Sequence, residues 1–240
     1  MKNLLIYINP EEKFNKEHEI LARIQVDNSL SLGWKEEDII VITNFEWEYN
    51  GVKSKPIDGN SFCSFRPLSN KTITVAKVLE DGINDTYWVH DFDAYQEGTL
   101  DVVLNKDVAF TNYGWSRKWS LGSYFFNKGA KDVFGWIKDT IYDQKVEDER
   151  ALVYLTSRNI NDINNRYEKL NITYNFGMRN IATNYAIADK PLRVIHFHPW
   201  ARGINVLHKF MYGKNELGFP LMTPRLIEIF KYHGIYDTTM

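Results

Sequence analysis

The sequence predicts an α/β protein whose central sheet is mixed, mostly parallel and flanked by helices. Three observations predict it. Asn3 to Ile8 is a largely apolar run that stops at Asn9-Pro10, where proline has no amide proton with which to continue a strand. Ile20, Leu21 and Ile24 then share one face of a helix. Asp38 to Thr43 is a second run, rich in branched residues. A strand, a helix and a strand in that order make a parallel crossover, and open sheets of this kind take ligands beyond the carboxyl ends of their strands.

The remaining elements follow along the chain. Leu30, Gly33 and Trp34 mark the end of the first helix, with Gly33 suited to the left-handed conformation that closes one. Asn50-Gly51 is a turn signal, Phe62 to Pro67 an irregular connection, and Leu68 to about Gly82 a helix. Thr86 to His90 is the third clear strand. Val108 to Thr111 and Ser123 to Phe126 are two more, separated by a loop from Asn112 to Gly122. Ala130, Val133, Phe134, Ile137 and Ile141 recur at helical spacing, which predicts an apolar stripe laid on the sheet. Another helix starts near Glu147, and Leu170 to Phe176 and Leu192 to Phe197 read as late strands. Beyond Pro199, the residues Gly203, Gly213, Gly218, Pro220 and Pro224 interrupt the pattern and leave one short helix from Arg225 to His233. The expected organisation is a main domain over 1–200 and a tail over 201–240 that packs on the site or covers it.

Composition removes several classes. The 240 residues carry 29 Lys and Arg against 31 Asp and Glu, a net charge of −2, so the basic face of a dedicated nucleic-acid binder is missing. A single cysteine, Cys63, excludes an internal disulfide and a cysteine-based zinc site. The apolar run Leu4 to Ile8 is far too short for a membrane span or a signal-peptide core. A soluble cytoplasmic chain is expected. Aromatic residues make up 15% of it, and some of those rings offer flat faces to a sugar or a base.

Chemistry-bearing residues gather at four places. The strand ending at His90 runs directly into Asp91-Phe92-Asp93. Residues two apart in an extended chain point to one side, so Asp91 and Asp93 can face one ligand; two hard oxygen donors suit Mg²⁺ or Mn²⁺, which in turn suits a diphosphate. Two acids in a solvated turn are the plainer account, but the end of a buried strand favours the ligand. The late strand Val194 to Phe197 also runs into a loop, with His196 and His198 on one side, able to offer an imidazole to the same ion; His198, nearer the loop, is preferred. Glu147-Asp148-Glu149 opens a helix. Acids there suit the helix dipole in any case, yet Asp148, with Glu149 as the alternative, can serve as general base toward an incoming hydroxyl. Finally, Gly122 precedes an aromatic strand and permits a substrate to approach the backbone.

Taken in order, these features resemble the metal-dependent glycosyltransferases of the GT-A fold. The Asp-x-Asp motif, glycine loop, acidic pair at a helix start and late histidine of that family correspond to Asp91-Phe92-Asp93, Leu121-Gly122-Ser123, Glu147-Asp148 and His198 or His196. The resemblance implies a GT-A-like, Rossmann-like catalytic domain that moves a sugar from a nucleotide diphosphate sugar, a UDP-sugar first, to a hydroxyl acceptor. Mn²⁺ or Mg²⁺ is then expected to bridge Asp93, the histidine and both phosphates, with Asp91 on the ribose or sugar. Proton removal by Asp148 implies inversion at the anomeric carbon, and retention is the other outcome. By position, Tyr7, Asn9, Pro10 and Asn44 are expected at the base and ribose, Arg66 and Lys71 near a phosphate, and Tyr113, Trp115 and Trp119 against the acceptor sugar. A glycan or small molecule is the expected acceptor; a modified base of viral DNA and a non-catalytic sugar- or nucleotide-binding module are the alternatives. A nucleotidyltransferase is disfavoured because no glycine-rich phosphate loop stands near Asn9, and a haloacid-type phosphatase because its paired aspartates belong at the first strand.

Overall fold

Leu4, Leu5 and Ile6 are all buried, which a strand achieves only when both faces of its sheet are covered. The structure is a computed structural model that describes residues 1–58, 62–114, 116, 118–197 and 204–236. Strand β1 (Lys2–Tyr7) leads through α1 (Lys16–Ser31) to β2 (Ile39–Thr43), and the two strands pair in parallel with Asn3 opposite Ile39 and Tyr7 opposite Thr43. A hairpin of β3 (Glu48–Tyr49) and β4 (Val52–Pro56) turns on Asn50 and Gly51, whose φ angles of 46° and 79° suit that residue pair, and β4 lies parallel to β2. Helix α2 (Asn70–Glu80) then crosses to β5 (Tyr87–His90), which pairs in parallel with the other side of β1.

After β5 the chain leaves the sheet as β6 (Ala94–Gln96) and then re-enters it, with one strand reversed. β7 (Val108–Asn112) and β8 (Trp119–Phe126) are antiparallel to each other, and β8 is antiparallel to β5. Helices α3 (Lys131–Gln144) and α4 (Asp148–Arg158) follow, and β9 (Tyr167–Lys169) completes the eight-stranded order β3-β4-β2-β1-β5-β8-β7-β9. Beyond it come β10 (Phe176–Gly177), α5 (Ile181–Ile187), β11 (Val194–His196), α6 (Ile204–Met211) and α7 (Pro224–Tyr232). β11 sits between β10 and β6 in a second, three-stranded sheet.

Alternating side chains feed two cores. Leu5, Ile39 and Val41 pack with Leu21 and Ile24 of α1 and Leu226 and Phe230 of α7. Leu4, Ile6, Ile40 and Ile42 pack with Ile73 of α2 and Phe134 and Ile137 of α3. Phe134 and Ile137 are 0% exposed, and burying side chains of that size contributes about 1.5–3 kcal/mol each. Among the described residues no helix is long and apolar enough to cross a membrane.

Some elements differ from expectation. The strand expected over Leu170 to Phe176 is instead a 3-10 turn at Ile172–Tyr174 followed by the two-residue β10, β9 having ended at Lys169. Asn171 makes the difference: its side chain accepts the Thr173 N–H at 2.9 Å, a local bond that competes with a sheet ladder. The loop expected over Asn112 to Gly122 ends earlier, because β8 already starts at Trp119. The helix expected from Leu68 starts at Asn70, after a 3-10 turn that Pro67 opens.

Candidate functional site

The segment Asp91–Asp93 is held by bonds that its neighbours dictate. Ala94 N–H donates to Asp91 O at 3.0 Å, closing a tight turn at the carboxyl end of β5. Buried Gln25 of α1 donates from Nε2 to the carbonyls of Phe92 (3.0 Å) and Ala94 (2.9 Å), so an inward-facing amide on a helix grips the turn from below. His90 Nδ1 lies 2.9 Å from Ala94 O, and burial pushes its pKa down to about 3, so it supports the turn as a neutral ring.

His196 reaches this turn because β11 pairs antiparallel with β6, with His196 opposite Ala94. Phe197 N–H donates to Asp93 O at 2.9 Å and extends the match. His196 Nε2 lies 3.3 Å from Asp93 Oδ1 and 3.6 Å from Asp91 Oδ2. The three residues offer ligand atoms that all lie within 4.8 Å of one another. Behind the ring stands Gly122, where an added Cβ would meet His196 Cε1 at 2.0 Å. Two carboxylates and an imidazole are a donor set that first-row divalent ions accept, and the glycine cradle gives the imidazole its place in it, so the residues fit such an ion.

Around the cluster lies a cleft of about 410 Å³ that brings Tyr7 and His18 to one part of its lining and Lys71, Tyr113, Asp148 and Glu149 to another. Lys71 Nζ of α2 bonds to Asp91 Oδ1 and to Leu121 O, the latter at 2.5 Å. Asp148 is buried at the start of α4, where Thr72 donates to its Oδ2 at 2.6 Å and its own N–H donates to Ser69 Oγ at 3.0 Å. Burial pushes its carboxyl above the usual range, against the pull of Lys71 and Thr72. Glu149 accepts the Tyr113 hydroxyl at 2.8 Å and Leu121 N–H at 3.0 Å; burial raises it as well.

Other expected residues sit elsewhere. Asn9 and Asn44 do not line the cleft; Asn9 N–H donates to Asn44 Oδ1 (3.0 Å) and Asn44 Nδ2 to Asn9 O (2.8 Å), lashing the loops after β1 and β2 together. Arg66 is also outside the lining, with Nη1 donating to Phe65 O at 3.1 Å. Trp119 is buried in β8 and donates to Thr156 Oγ1 at 2.9 Å. His198 and Trp115 lie outside the described residues. Residues 204–236 contribute nothing to the lining. Ser69, Thr72 and Asn175 went unread: serine and threonine near a helix start read as caps, and a lone asparagine carries no signal.

Several solved structures are similar to this chain. The galactosyltransferase LgtC, solved with donor and acceptor sugar analogues, superposes with a TM-score of 0.56 at 13% identity over 84% of this chain and 88% of that one. A glycosyltransferase involved in glycosylation of the major capsid of PBCV-1 gives 0.55 at 11% identity over 84% and 95%. GlyE of Streptococcus pneumoniae TIGR4 gives 0.56 at 12% over 98% of this chain and 61% of its own. The fold is the GT-A fold. No protein-family model and no curated protein matches the sequence. Within this GT-A fold the Asp91, Asp93 and His196 cluster stands beyond the carboxyl end of β5, beside the boundary with the antiparallel β8, which is where open α/β sheets admit ligands.

Proposed function

We propose that the chain is a metal-dependent glycosyltransferase that takes its sugar from a nucleotide diphosphate sugar, a UDP-sugar first, and transfers it to a hydroxyl of a glycan or small molecule. The observation that carries this reading is the convergence of Asp91, Asp93 and His196 on one cleft with the buried acids of α4, in a GT-A fold. Asp91, Asp93 and His196 hold Mn²⁺ or Mg²⁺, which supplies Lewis-acid neutralisation of the departing diphosphate.

Every other role belongs to the chain. Tyr7, at the cleft edge, packs 4.7 Å from Phe14 between ring centroids and offers its exposed part to the base. Lys71 holds Asp91 in place and brings a cation to the phosphate side of the cleft. Asp148 and Glu149 stand at the sugar. Its raised pKa brings Asp148 closer to the range in which a carboxylate removes a hydroxyl proton, which gives inversion. A second reading of the stereochemistry has its own support: Thr72 fixes Asp148 and Tyr113 fixes Glu149, so both carboxylates are restrained as holders of sugar hydroxyls, and transfer with retention then needs no mobile base.

A panel of sugar nucleotides with Mn²⁺ tests the proposal. Released nucleoside diphosphate is expected for one donor and is expected to fall to background in Asp93→Ala. Equal release by both chains would remove the metal role. The anomeric coupling constant of the product, read by proton NMR, separates inversion from retention.

A further inference from the structure

Beneath the cleft, buried Asn175 donates from Nδ2 to Ser120 Oγ at 2.9 Å and to Thr111 Oγ1 at 2.9 Å. The amide is thereby oriented. Its Oδ1 faces His196 Nδ1 at 2.9 Å and, having no hydrogen, requires one on the imidazole.

We infer that Asn175 is the positioning residue that keeps a hydrogen on His196 Nδ1, so that Nε2 is the nitrogen turned toward Asp91 and Asp93. Ser120, Asn175 and His196 are 2%, 3% and 3% exposed, so the bonds form away from bulk solvent and each polar group depends on its partner. Which nitrogen of an imidazole binds a metal is set by the bond its other nitrogen makes. The metal part of the inference rests on the function proposed above; the Nδ1 hydrogen does not.

Two measurements keep those parts separate. Two-bond proton–nitrogen correlation spectra of the metal-free protein, with His196→Gln as the assignment control, are expected to show Nδ1 protonated. A bare Nδ1 overturns the role of Asn175 whatever the protein does with metals. Mn²⁺ titration followed by electron paramagnetic resonance, without nucleotide, reads the second part. Asn175→Asp keeps an acceptor for Nδ1–H and is expected to bind at least as tightly as the native chain. Asn175→Leu has no acceptor and is expected to bind about 10–100-fold more weakly. Native affinity in Asn175→Leu, or equal weakening in both variants, overturns the positioning role. If the native chain binds no Mn²⁺, the proposed function falls and the spectra alone decide what Asn175 does to His196.

Discussion

At the scale of single residues, Gly122 shows what a spacing argument can and cannot reach. Its sequence context announces a close approach, but the approaching group is an imidazole from a strand much later in the chain, and no local pattern names it. Space rather than backbone conformation demands the glycine, since its φ is not among the positive values. A methyl group here would stand 2.3 Å from His196 Nδ1. Gly122→Ala is therefore expected to push the ring out of the cluster, with an overpacking cost of about 1–3 kcal/mol and weaker Mn²⁺ binding. Urea denaturation and a metal titration read both, and native values in each would mean that the ring has room to move aside. Asp91 and Asp93 were legible because they directly follow a buried strand, although a tight turn rather than extended chain brings their carboxylates together. The mutual bonds of Asn9 and Asn44 were not, because they join two loops that only the parallel pairing of β1 and β2 brings together.

At the scale of elements, α7 is anchored by an acid that pays for its burial. Glu97, beside the end of β6, accepts Thr223 Oγ1 at 2.6 Å and Thr223 N–H at 3.2 Å at the start of α7, with Arg225 Nη2 3.9 Å away. Burial pushes its pKa from 4.5 to about 7, against the Thr223 bonds and Arg225. Between those values the folded chain keeps a proton that the unfolded chain releases. The favourable contribution is thus complete below about pH 4.5 and is lost as pH rises to about 7, an effect of up to about 3 kcal/mol. Denaturation at pH 5, 6.5 and 8 is expected to show the native chain losing stability relative to Glu97→Gln; parallel profiles would refute the raised pKa. The same anchoring explains which elements were readable. The apolar stripe of α3 repeats within one helix and could be seen, whereas β6 is three residues long and becomes a strand only by pairing with distant β11. β3 and β4 carry Glu48, Lys53 and Lys55, edge residues without the apolar alternation that marks a strand, so only their Asn50-Gly51 turn was visible.

At the scale of the whole molecule, the site exists because the sheet changes direction between β5 and β8. Strand sense is a property of connections rather than of residues, which is why the parallel pairing of β1 and β2 could be inferred from its helical crossover and the reversal of β8 could not. The consequence is a cleft whose walls come from β1, α1, α2, the turn after β5, β8, α4 and β11, so a ligand that fills it ties both halves of the fold together. Binding to the folded state alone stabilises it by about 2.7 kcal/mol when the ligand stands 100-fold above its Kd. For a chain of this size each kcal/mol raises the melting temperature by about 2–4 °C, so Mn²⁺ and UDP together are expected to raise it by about 5–10 °C. UDP alone should give much less, because two negative phosphates must otherwise enter beside Asp91 and Asp93, and among the described residues Lys71 is the one lysine or arginine of the lining that offsets them. Asp93→Ala relieves part of that repulsion while removing a ligand, so it should narrow the gap between UDP alone and UDP with Mn²⁺. A gap unchanged by the substitution would mean that the two ligands meet somewhere other than this cluster.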